Sequence, residues 1–191
     1  MTESNPLPFR ARAIGPDELK ALAHPLRMAM YDYLSEHGSA TASQLGRHLG
    51  ESSGQTSYHL RQLEKHGFIE EIPERSTGRE RWWRRTESPR DIRMPAPETL
   101  APQDRPALEE VLRLGHAEDM DLLSRLLEAY KEDPAWSRLS RGFAHMTEQG
   151  LAEFFEAHIR LLHQHRLDPE RLPPDARPVY IRLFALPADE E

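Results

Sequence analysis

Cysteine is absent from the 191 residues. That excludes disulfides, zinc-thiolate sites and thiol-based sensing. Lysine is scarce: of 25 basic residues only Lys20, Lys65 and Lys131 are lysine. No apolar run approaches the roughly 20 residues that span a bilayer. Residues 1–12 lack the apolar core of a signal peptide. The expectation is a cytoplasmic protein without a membrane partner. A phosphate-cradling glycine loop, a nucleophile elbow and an HExxH pair are also missing, so neither an enzyme nor a bound cofactor is expected.

The net charge of −7 argues against a chain that coats nucleic acid or an anionic membrane along its whole length. That total is unevenly spread. Residues 10–90 hold 13 basic against 11 acidic side chains, whereas residues 91–191 hold 12 against 20. The N-terminal half is therefore the only surface suited to phosphates.

Local punctuation there is dense. Gly15-Pro16-Asp17-Glu18 opens a short helix, with proline early and acids in the first turn. Pro25 suits the first turn of a second helix, with Leu26, Met30, Tyr33 and Leu34 at core spacing and Gly38 at its end. Thr41-Ala42-Ser43-Gln44 has the capping-box pattern, Leu45 and Leu49 face inward, and Gly50 closes that helix. Ser52-Ser53-Gly54-Gln55 repeats the cap at once, and the next helix runs to about His66 with Leu60 and Leu63 buried. Phe68, Ile69 and Ile72 start a strand. Residues 74–79 are turn-rich, and residues 80–86 read as the returning strand.

These residues resemble a known family. Residues 19–27 (Leu19 to Arg27) look like the opening of ArsR-type winged-helix transcriptional regulators. Residues 58–69, from Tyr58-His59-Leu60-Arg61 to Gly67-Phe68-Ile69, are similar to their recognition helix running into the wing. Gly78-Arg79-Glu80-Arg81-Trp82-Trp83-Arg84 is similar to the wing of an actinobacterial subgroup. The resemblance covers about residues 17–86. Metal-sensing members carry cysteines on the helix before the recognition helix, and here residues 42–48 have none. Sensing of arsenic or soft metals is therefore not implied.

A helix that reads DNA needs short polar and cationic side chains that reach the major groove. Ser52, Ser53, Gln55, Thr56, Ser57, Tyr58, His59 and Arg61 are the candidates on the recognition helix. Glutamine can pair with adenine, arginine with guanine, and hydroxyls with phosphates or base edges. Arg75, Thr77, Arg79 and Arg81 in the wing are candidates for the minor groove or flanking backbone. A solvated polar helix face and a charged hairpin edge are the plainer alternatives. Trp82 and Trp83 are adjacent on a strand and must point to opposite faces. One is expected on the helical core and the other against the C-terminal region.

The remainder reads differently. Five prolines fall between Ser88 and Pro106, so this stretch is expected to be a linker or an extended surface segment. Apolar spacing predicts a long helix over residues 107–131 and a second from Pro134 to about Arg166. Leu122, Leu126, Trp136, Phe143, Met146, Phe154, Phe155 and Ile159 are the candidates for a dimer interface, with an effector pocket within it. Histidines 158, 163 and 165 share the second helix with Glu153 and Glu156. They lack the i, i+3 or i+4 spacing of helical metal ligands, so no metal site is expected. Residues 179–186 read as a terminal strand.

The expected fold is mainly α with a small β wing. A flexible arm (1–12) precedes a winged helix-turn-helix domain (13–87). A Pro-rich linker (88–106) then leads to a helical dimerisation or effector region with a terminal strand (107–191). The expected function is transcriptional regulation, most simply repression. A homodimer would bind double-stranded promoter DNA at a palindromic site, with recognition helices about one helical turn (~34 Å) apart. A small-molecule effector is allowed for but not identified. The alternative is a winged-helix adaptor that binds protein.

Overall fold

The computed structural model describes residues 12–78, 80–86, 92–167 and 171–188. The flexible arm assigned to residues 1–12 thus lies almost wholly outside the described residues, as does Arg79 at the wing tip. Arg12–Ala13 (β1) leads into helices α1 (Pro16–Leu22) and α2 (Pro25–His37). The β2 strand (Ser39–Thr41) follows, then α3 (Ala42–Leu49) and α4 (Ser53–Lys65). The β3 strand (Ile69–Glu71) and β4 (Trp82–Arg85) form a hairpin with a 3-10 turn at Pro73–Arg75 between them. A short β5 (Ile92–Arg93) precedes α5 (Arg105–Glu132) and α6 (Glu148–His165).

Helix ends are fixed by the residues that sequence spacing marks. Gly15 N–H donates to Glu18 Oε2 at 2.7 Å, which starts α1. His24 caps α2 by accepting from Leu26 N–H through Nδ1. The Arg27 guanidinium then donates to the carbonyls of Lys20 and Ala21, covering the free end of α1.

The core lies where α1, α2, α3, α4 and the small sheet meet. Leu19, Leu22, Met30, Leu34, Leu45, Leu60, Leu63 and Ile69 are almost fully buried there. Each such side chain contributes roughly 1.5–3 kcal/mol by leaving water. Tyr31 meets Phe68 edge-on with ring centroids 5.7 Å apart. The α5 helix joins this core only through its first turns, where Leu108 and Val111 are buried and α1 packs on it. Asp104, just before α5, is buried and pairs with Lys20 at 2.7 Å.

The sheet has three antiparallel strands in the order β2-β4-β3, so β4 is central. Ala40 pairs with Trp83, and Glu71 with Trp83 from the other side. Sequence patterning misses β2, since its three residues also serve the start of α3. Helices, then a β-strand, a helix pair and a hairpin make this a mainly helical chain with a winged helix-turn-helix architecture.

The C-terminal half departs from expectation in two places. Residues 134–147 are not helical, so the second long helix is only α6, from Glu148. Thr147 accepts from Gly150 N–H and sets that start. The segment upstream carries Ser137, Ser140 and Gly142, poor helix formers, and is held instead by Ser137 Oγ donating to Ala129 O at 2.9 Å and by Arg177 over the Trp136 ring. Trp136, Phe143 and Met146 consequently leave the helical stripe and stand exposed. Residues 179–186 form no strand. They are tied through Arg182 to Glu118 (2.7 Å) and Asp119 (2.9 Å) and through the Tyr180 hydroxyl to Glu36.

Candidate nucleic-acid interface

Two back-to-back caps position the site. Thr41 Oγ1 accepts from Gln44 N–H while Gln44 Oε1 accepts from Thr41 N–H at 2.8 Å, a closed capping box. Gly50 ends α3 in the left-handed conformation (φ 71°) that side-chain-bearing residues resist. Glu51 N–H then returns to Gly46 O at 2.8 Å. Ser52 Oγ accepts from Gln55 N–H at 3.3 Å and starts α4. The turn is tight: a Cβ on Gly46 would lie 2.7 Å from Glu51 O and 3.2 Å from Thr56 Oγ1. Only glycine fits there.

This geometry sorts the sequence-predicted contacts. Ser52, Ser53, Gln55, Tyr58 and Arg61 are exposed, with Ser57 half-buried at the edge of the same face. Tyr58 stands 56% exposed, so it is a surface group. Thr56 and His59 are corrected: both point inward. Thr56 is fully buried, and its hydroxyl donates to Ser52 O at 2.8 Å. His59 is 6% exposed and stacks toward His24 with ring centroids 4.5 Å apart. They share the inner face with Leu60 and Leu63 at i, i+3, i+4 and i+7 spacing. That periodicity was readable in the sequence.

Burial, first of all, pushes the imidazoles of both His24 and His59 below their ordinary range. Arg27 adds to the effect at His24, and at His59 both His24 and Arg27 do. Both shifts favour the neutral ring, and His59 Nδ1 is buried without a hydrogen-bond partner among the described residues.

An open cleft of about 380 Å³ separates α4 from the wing. Ser53, Ser57 and Arg61 line it from α4, Thr41, Ala42 and Ser43 from the start of α3, and Glu80, Arg81 and Trp83 from the wing. Sequence reasoning did not include the start of α3 among the contacts. Its signal was the Thr41 capping box, which sets the start of α3 and with it the place of Thr41, Ala42 and Ser43 on this cleft.

The wing is less cationic than its arginines imply. Arg81 pairs with Glu71 at 3.3 Å and Arg84 with Glu70 at 2.8 Å. Arg75 stacks 3.7 Å over the Trp82 ring and donates to Ser39 Oγ at 2.7 Å. Trp83 is buried in the core as expected. Trp82 lies under Arg75 instead of against the C-terminal region. Thr77 is exposed at the tip, where it exchanges two 3.0 Å backbone bonds with Glu80.

The dimer candidates are scattered within one chain. Leu122 and Leu126 are half-buried on α5, Phe155 and Ile159 half-buried on α6, and Phe154 exposed. Among the described residues α6 packs extensively on no other element.

Residues 22–72 match the family model of a helix-turn-helix domain, from the end of α1 to just past β3. The chain carries a helix-turn-helix domain. No curated protein matches it. Two solved structures are similar to it. The heme sensor protein PefR from Streptococcus agalactiae in complex with heme is 15% identical over 78% of each chain, with a TM-score of 0.32. AbfR in a disulfide-formed state is 16% identical over 60% of this chain and 77% of that one, with a TM-score of 0.30. Among the described residues, no helix is long and apolar enough to cross a membrane.

Proposed function

We propose that this chain is a sequence-specific DNA-binding transcriptional regulator of the ArsR-like kind. The observation that carries the reading is the outward face of α4. Two caps and the Gly46 turn set its place, and it offers Ser53, Ser57 and Arg61 to a cleft that the wing also lines, with Gln55 and Tyr58 exposed on the same helix. Ser57 and Ser53 suit phosphate or base-edge hydrogen bonds, Gln55 an adenine, and Arg61 a guanine. Arg81 lines the same cleft and serves the flanking backbone, with Arg75 and Thr77 farther along the wing. Arg79 belongs to this group by sequence.

The regulator acts as a homodimer on a palindromic promoter site. Support comes from α6, an amphipathic helix of 18 residues with little to pack on in its own chain. An isolated helix of that length is marginal in water, so its apolar face calls for a partner. Occupying a promoter blocks it, which makes repression the simplest output. An effector, if one is used, would bind among the C-terminal helices and shift the spacing of the two α4 helices. The reading assigns no catalytic role.

Selection of duplexes from a random pool near physiological salt tests it. Enrichment of an inverted repeat with half-sites about ten base pairs apart is the expected result. The pairing of Arg81 and Arg84 with glutamates favours a protein-binding adaptor as the second reading. Only non-specific binding that salt abolishes would select it.

A further inference from the structure

Gly54 sits in the second position of α4, exposed and in ordinary helical conformation. Nothing in the chain requires it to be glycine. A Cβ built there meets no atom within 4 Å, in contrast to Gly46 in α3. Glycine also weakens a helix relative to alanine, because it loses more backbone freedom on folding. The position therefore carries a cost to the fold with no return inside it.

Its place on the helix supplies the return. Gly54, Tyr58, Arg61 and Lys65 fall at i, i+4, i+7 and i+11, a single outward ridge directly opposite buried Thr56, Leu60 and Leu63. Ser53 and Ser57 flank it on the cleft side. Tyr58 and Arg61 are long and Gly54 is bare, so the ridge drops to backbone at the first turn of α4. A surface that meets this ridge comes closest to the protein at that point.

We infer that Gly54 is a positioning residue for DNA recognition: its missing side chain lets the first turn of α4 approach a base-pair edge in the major groove. The close approach sets the depth from which Gln55 and Ser57 reach the bases. This rests on the regulator reading proposed above.

The test uses the full-length chain and the duplex that wild type selects from a random pool. Wild type and Gly54→Ala are compared for Kd on that duplex, for Kd on a scrambled duplex, for salt dependence and for Tm. Gly54→Ala is expected to raise Tm slightly and to weaken binding to the selected duplex about tenfold or more, the scale of a lost base contact. Affinity for the scrambled duplex and the salt dependence should stay as in wild type, since both report arginine–phosphate contacts. Equal affinity of the two proteins for the selected duplex overturns the inference and leaves the regulator reading intact. So does a marked fall in Tm, which would show that the fold itself needs glycine. Failure of wild type to select any sequence overturns the regulator reading, and this inference with it.

Discussion

The imidazole of His59 on α4 packs 4.5 Å from that of His24, the residue that caps α2. Both are held below their ordinary range, foremost by burial. Arg27 is close to both, and Glu51 partly offsets it at His59. The folded state thus binds fewer protons than the unfolded chain in the window below 6.5. Stability from this pair is complete above that value and is lost as pH falls through it. Protonation of His24 would also remove the Nδ1 acceptor that caps Leu26 N–H.

In an Asp32→Asn background, which removes a buried carboxyl that titrates in the same window in the opposite sense, urea denaturation should therefore show lower stability at pH 5.5 than at pH 7.5. The double variant His24→Asn with His59→Leu keeps a capping acceptor and removes both titrations. In the same Asp32→Asn background its stability should be nearly level over that range. Parallel falls in the two proteins would place the sensitivity elsewhere.

Asp32 on α2 behaves in the opposite sense. Burial foremost, then the nearby Glu118 carboxylate, pushes it up to about 7, against the pull of Arg182 and Arg85 and with a further push from Glu36. Folding here favours the protonated carboxyl. The cost appears as pH rises above the unfolded value of 3.8 and is complete past about 7. Asp32→Asn should stabilise the chain by about 1–2 kcal/mol at pH 8 and little at pH 4. A gain of equal size at both pH values would mean that ionisation is not the cause.

Thr56 and Arg61 should respond in contrary ways. Thr56→Val removes a buried hydroxyl, but Ser52 O keeps its bond from Thr56 N–H at 3.0 Å. The expected cost is about 0.5–1.5 kcal/mol of stability, with selected-duplex affinity preserved. Arg61→Ala should leave stability within about 0.5 kcal/mol and weaken DNA binding. Reversed profiles would return Thr56 to the contact surface.

Gly46→Ala places a methyl group 2.7 Å from the Glu51 carbonyl oxygen, where neither backbone can yield cheaply. A loss of about 1–3 kcal/mol is expected in thermal or chemical denaturation, together with loss of DNA binding as α3 and α4 part.

Phe154→Asp with Ile159→Asp puts charge on the apolar face of α6. Light scattering after gel filtration should show the mass fall from dimer to monomer, while the spectrum of the helix-turn-helix body persists. An unchanged mass would remove α6 from the interface.

Much of the N-terminal half was legible because its punctuation is local. Thr41 with Gln44, Gly50, and Ser52 with Gln55 act within one turn of chain, and each ends where sequence spacing places it. Whether Trp82 meets the C-terminal region is a tertiary question, and so is the existence of β2, which depends on Trp82 to Arg84 lying alongside. The opposite error came from apolar spacing. Trp136, Leu139, Phe143 and Met146 recur at helical intervals, yet the segment has Ser137, Ser140 and Gly142, and those four apolar side chains stay exposed. At Thr56 and His59, residue chemistry outweighed a periodicity that already put them inside.

The attachment of α5 has a mechanical meaning. Its root is fixed at the Lys20–Asp104 pair and by Leu108 and Val111, while the turns beyond bury no side chain among the described residues. Those turns are linked to α2 through Arg182, bonded to Glu118 and Asp119, and the Tyr180 hydroxyl, bonded to Glu36. From Val111 to Glu132 the helix extends about 30 Å at 1.5 Å per residue. It is a lever with its fulcrum on α1. A tilt of about ten degrees at the root moves the far end by about 5 Å, taking that length at the same rise. In the proposed dimer, small adjustments at that far end would therefore reach α4 as reorientations of whole bodies, with no need to deform α4 itself.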